Sequence, residues 1–111
     1  ARDYVGRTYG QRYLPEKPNF FSSSNKNAQE AHEAIRPTSL EWTPARVRGA
    51  LSPDQFRLYS VIFERFVACQ MVNAEWDNTA VLIRGGKDPA TPLTFCATGR
   101  VLAFAGFYTV T

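Results

Sequence analysis

Ser52-Pro53-Asp54-Gln55 is the stretch that leaves this chain the fewest options. It sets a serine able to accept from the first free N–H groups of a helix, then a proline at the first helical position. An acid in the first turn and a glutamine that can close a capping box complete the start signal. Leu51 and Phe56 stand at the two positions of a hydrophobic staple. At about 100° per residue, Phe56, Leu58, Tyr59, Ile62, Phe63, Phe66, Val67 and Cys69 fall on one broad arc, with Arg57, Ser60 and Glu64 opposite. The spacing predicts a helix from Ser52 to about Met71 with its apolar arc packed deeply, each large side chain contributing ~1.5–3 kcal/mol by burial.

The flanks are read against this helix. Residues 1–27 hold Gly6, Gly10, Pro15 and Pro18 and read as loop, apart from a short helix near Asp3 to Tyr9. A second short helix is expected from Ala28 to about Ile35, capped by Asn27 with Glu30 three places on and stopped by Pro37. Residues 39–48 read as a connection with one helical turn after Thr43-Pro44. Beyond Asn73, residues 78–83, 93–98 and 101–108 are rich in β-branched and aromatic side chains, with turns at 84–89 and at Gly99-Arg100. The expectation is an α+β chain, helical first and then an antiparallel β meander.

Composition bounds the function. The chain has 111 residues, 44% apolar and 14% aromatic, enough to bury a core. It starts at Ala1 and stops inside an apolar, strand-like run, and so reads as an internal piece of a longer protein. No run approaches the ~18 apolar residues of a membrane span, and no signal peptide is evident, so no membrane partner and a cytoplasmic location are expected. Cys69 and Cys96 match no zinc or redox spacing and are expected as buried thiols. The net charge of +3 is uneven: residues 1–48 carry eight Lys/Arg against five acids, interleaved with Tyr4, Tyr9, Tyr13, Phe20 and Phe21. That mixture is compatible with a phosphate backbone and stacked bases, and equally with a plain surface.

His32-Glu33-Ala34-Ile35-Arg36 starts like the zinc-protease signature H-E-x-x-H, but Arg36 stands where the second histidine must be. A guanidinium cannot ligate zinc, and His32 is the only histidine, so that chemistry is excluded. No phosphate-binding Gly-rich loop, nucleophile elbow or Cys–His pair is present. What remains is a dense polar segment. At helical spacing His32 and Arg36 share one face, as do Gln29 and Glu33. An imidazole beside a guanidinium can hold two oxygens of one phosphodiester. The competing reading is structural: a satisfied histidine and an arginine capping helix carbonyls.

The string YLPEKPNFFSSSNKNAQEAHEAIRPTSL, then SPDQFRLYSVIFERFVACQM, then strands ending in GRVLAFAGFYTV resemble the type IA DNA topoisomerases, in particular the bacterial topoisomerase I branch. Only residues 39–49 and the loop 85–92 look individual to this chain. The resemblance implies an ATP-independent, magnesium-dependent enzyme that relaxes negatively supercoiled DNA through a transient single-strand break on a tyrosine. It also implies that residues 1–71 end the helical, tyrosine-bearing domain and that 72–111 enter the β-rich hinge and gate domain. The family's YMRTDS-type segment, its magnesium-binding acidic domain and its zinc-ribbon extensions are missing from the sequence, and Tyr4, Tyr9, Tyr13, Tyr59 and Tyr108 have the wrong neighbours. Carried over by position, His32 matches a histidine implicated in DNA binding and cleavage. Arg36 matches a basic residue expected to touch phosphate, and Gln29 and Glu33 are expected to orient the two. The implied partner is DNA, preferentially single-stranded. No cofactor is expected on this chain. A topoisomerase III or reverse gyrase segment, or a non-catalytic DNA-binding module built from the same region, are the alternatives.

Overall fold

The computed structural model describes residues 1–22, 33–88, 90 and 93–111. Its α+β content falls into two compact units, one of residues 1–73 with 106–111 and one of residues 74–105.

The first unit is organised on the long helix. Helix α1 spans Arg2–Thr8, α2 spans Pro44–Val47 and α3 spans Pro53–Ala68. The start of α3 is as the sequence dictates. Gln55 N–H donates to Ser52 Oγ at 3.4 Å and Ser52 N–H donates to Gln55 Oε1 at 3.0 Å, a complete capping box with Pro53 behind it. Phe63 and Val67, one turn apart, are buried together with Val5 of α1 and with Met71 just beyond the helix end. Tyr4, Tyr9, Tyr13, Leu14, Leu40, Tyr59, Phe107 and Val110 close around this centre, Tyr4 meeting Phe63 edge-on at 5.7 Å. The apolar arc is therefore buried over a narrower width than expected. Leu58, on the expected arc, is 63% exposed, whereas Phe63 and Val67 are buried.

Past the end of α3, the carboxamide of Asn19 donates to Cys69 O at 2.9 Å and to Met71 O at 3.2 Å, satisfying carbonyls left over at the helix terminus. Gln70 completes the clamp from the other side, accepting from Asn19 N–H and donating to Asn19 O. Val72 N–H donates to Tyr13 O, and Phe107 N–H donates to Val72 O, so the outgoing and returning chain are tied to the same loop. Gly106, buried with φ 51°, makes the turn back into the unit, a conformation a side chain would strain.

Two sequence expectations fail here for identifiable reasons. Of the helix expected at 28–35, residues 28–32 lie outside the described residues, and residues 33–37 are not helical. Pro37 disfavours the helical region for Arg36 and can donate no bond back to the Glu33 carbonyl, and a segment this short has little propagation to offset nucleation. Cys69 is half-buried, its thiol directed at Phe66 O, but Cys96 is exposed on a strand.

The second unit is a single antiparallel hairpin of β1 (Glu75–Gly85) and β2 (Leu93–Phe104), not a three-stranded meander. Gly99 and Arg100, expected as a turn, lie inside β2 opposite Thr79 and Asn78. Gly99 takes no positive φ, and the Arg100 guanidinium lies 4.4 Å from the Trp76 ring across the ladder, a diagonal pair that favours continued pairing. The expected third strand supplies only the end of β2, after which Gly106–Thr109 form a 3-10 turn. Val81, Leu82, Ile83, Leu93, Phe95 and Val101 remain exposed on the hairpin.

Candidate nucleic-acid interface

Residues 33–38 run as an exposed, non-helical segment anchored by the buried ring of Pro37. They curve around a shallow cleft of about 400 Å³ lined by Glu33, Ala34, Ile35, Arg36, Pro37 and Thr38. Ile35 is 85% exposed, so nothing apolar in the first unit claims it.

Within this segment one polar contact dominates. Arg36 donates from Nη2 to Glu33 Oε1 at 2.6 Å and from Nε to the same oxygen at 3.2 Å. The side chains stay 50% and 77% exposed, so the pair contributes at most about 1 kcal/mol and exchanges partners easily. On the expected helix His32 shares a face with Arg36, and Gln29 with Glu33. The described geometry instead joins Glu33 to Arg36, a contact that the three-residue spacing alone could have suggested. His32 and Gln29 lie outside the described residues.

What the arrangement can do follows from the fork of the guanidinium. Two of its N–H groups converge on a single carboxylate oxygen, and that same Nε/Nη2 edge is one with which a guanidinium can hold two oxygens of an anion. In this structure the Glu33 carboxylate occupies that edge.

The tyrosines serve the core. Tyr4, Tyr9, Tyr13 and Tyr59 pack around Val5 and Phe63, and Tyr59 O–H donates to Trp42 O at 2.5 Å. Burial, then the neighbouring Tyr4, then Glu64 push the Tyr9 phenol above its ordinary range, the reverse of what an activated oxygen nucleophile needs. Tyr108 stacks on Phe107 at 4.6 Å. Among the described residues no three His, Cys, Asp or Glu side chains converge in a way that could hold a metal ion, and no helix is long and apolar enough to cross a membrane.

A sequence model of the family described as DNA topoisomerase matches residues 1–111. The chain is 44% identical over 110 residues to DNA topoisomerase 1 of Helicobacter pylori, covering 99% of this chain and 14% of that protein. It is 44% identical over 107 residues to DNA topoisomerase 1 of Haemophilus influenzae, covering 96% of this chain and 12% of that one. The fold superposes on the full-length topoisomerase I of Thermotoga maritima with a TM-score of 0.74 at 28% identity, over 98% of this chain and 16% of that structure. The matched relatives are thus several times longer than the sequence that matches them.

Proposed function

The chain belongs to the DNA topoisomerase family, and from that premise we propose that it is a segment of an ATP-independent type IA enzyme that relaxes negatively supercoiled DNA. In this reading residues 1–71 close the helical domain that bears the cleaving tyrosine, and residues 72–111 enter the hinge of the gate. The cleaving tyrosine itself is supplied by another part of the parent, because no tyrosine of this sequence has the neighbours that chemistry requires.

The observation that carries the proposal is the half-exposed Arg36 guanidinium on the solvent-facing part of AQEAHEAIRPT. Arg36 exchanges Glu33 for a phosphodiester oxygen, and the carboxylate then serves to hold the guanidinium ready rather than to touch DNA. His32 joins it as a second donor near the scissile phosphate, with Gln29 orienting the strip. The bound strand is single-stranded DNA. Magnesium belongs to the parent: the described residues offer it no ligand set, and no step assigned to this chain passes through it. The cytoplasm is the corresponding location.

In the longer protein that carries this chain, Arg36→Ala is expected to weaken binding of a single-stranded oligonucleotide about tenfold and to slow relaxation, with the melting temperature unchanged. Residues 1–111 alone are expected to form no covalent adduct with an end-labelled oligonucleotide. A labelled adduct on this chain, or unaltered binding and relaxation by both Arg36→Ala and His32→Ala, would overturn the proposal.

A further inference from the structure

Arg46, Arg48 and Arg57 project from α2, the turn after it and the N-terminal part of α3, and all three are exposed. Two of them lie over rings. The Arg46 guanidinium is 5.1 Å from the centre of Trp42, itself 53% exposed, and the Arg48 guanidinium is 5.6 Å from the centre of Phe56. Arg48, Phe56 and Arg57 line one shallow cavity of about 310 Å³. Glu41 and Asp54 are close in sequence, yet among the described residues neither forms an ion pair with these arginines; Glu41 reaches Arg46 only through its backbone oxygen. Among the described residues no carboxylate therefore neutralises this positive charge. Trp42, Arg46 and Arg48 also fall in residues 39–49, the part of the first unit that the family resemblance leaves unexplained, and none of these residues belongs to the cleft at 33–38.

The chemistry specifies the partner. A guanidinium already lies over one face of each ring, which leaves less of the ring open for stacking on a base. The rings hold the Arg46 and Arg48 guanidiniums in place and reduce the rotamer freedom lost on binding, and apart from the Arg46 Nη1 that donates to Glu41 O their N–H groups remain available to an anion. Three guanidiniums that the described residues leave without a carboxylate partner, two of them held over rings, match a row of phosphates, and duplex DNA presents phosphates more densely than a single strand. We infer that Trp42, Arg46, Arg48, Phe56 and Arg57 form a second DNA contact that grips the backbone of duplex DNA beside the region being cleaved. This rests on DNA being the partner proposed above.

The test is the salt dependence of binding by the longer protein to a blunt 30-base-pair duplex, for the wild type, Arg46→Gln/Arg48→Gln/Arg57→Gln and the matching triple lysine variant. Loss of three phosphate contacts is expected to flatten the slope of log K against log salt by about 2–3, while the lysine variant keeps a slope within about 1 of wild type. The result should not depend on duplex sequence. A glutamine variant that melts like wild type, keeps its slope and still relaxes DNA overturns the duplex contact and leaves the topoisomerase reading standing. If the wild-type protein neither binds nor relaxes DNA, the reading beneath it falls as well.

Discussion

Glu33 and Arg36 hold each other through a single carboxylate oxygen, and both remain largely in solvent. The pair is weak enough to open and close at little cost, so what Glu33 controls is the competition for the guanidinium, not the stability of the unit. Glu33→Gln removes the competing charge and keeps an oxygen acceptor. It is expected to tighten single-stranded DNA binding about two- to fivefold, measured by fluorescence anisotropy at low salt, with thermal stability unchanged. Weaker binding would assign Glu33 an orienting role that outweighs its repulsion of phosphate. The clamp at Asn19 belongs to the same scale. Its carboxamide spans Cys69 and Met71 carbonyls some fifty positions away, and nothing in the sequence around a lone asparagine between Pro18 and Phe20 signals that partner.

Helix α3 is the element whose residues decide the most. Its start is local chemistry: the reciprocal bonds of Ser52 and Gln55 satisfy groups that any helix would leave open. Ser52→Ala is expected to cost about 1 kcal/mol, seen as a fall in melting temperature of roughly 4–8 °C with secondary structure retained. No shift would show that packing alone holds the first turn. Of the two short helices, α2 was legible because Pro44 opens it, whereas α1 forms from a stretch with Val5, Gly6 and Thr8, weak helix formers, and is held by the burial of Val5 in the core. At residues 33–35 and at the pair Gly99-Arg100 the local pattern does not decide the structure. In the first case Pro37 limits the residue before it; in the second a cross-strand partner, Trp76, makes continued pairing preferable to turning.

On the scale of the molecule, stability at alkaline pH is coupled to the tyrosine cluster. Burial first, then Tyr4 and Glu64, raise the Tyr9 phenol above 10.0, its ordinary value in the unfolded chain. The folded state thus holds the Tyr9 proton more tightly than the unfolded one. The stability this contributes is complete below the ordinary value and is lost as pH rises through the folded one. Urea midpoints measured from about pH 8 to about pH 11 are expected to fall at the alkaline end, and Tyr9→Phe is expected to flatten that fall. An equally steep fall in the variant would assign it to other groups. Taken alone, the sequence determined the start of α3, the α+β class, the exclusion of a zinc-protease centre and the family to which AQEAHEAIRPT belongs. Each of these depends on neighbours within a few positions or on the identity of a string. The tertiary structure decided which part of the apolar arc is buried, that the strands form one hairpin, that Glu33 faces Arg36, and that Arg46 and Arg48 lie over rings. Those outcomes depend on which surfaces cover which, and on contacts between groups whose separation along the chain carries no periodic signal.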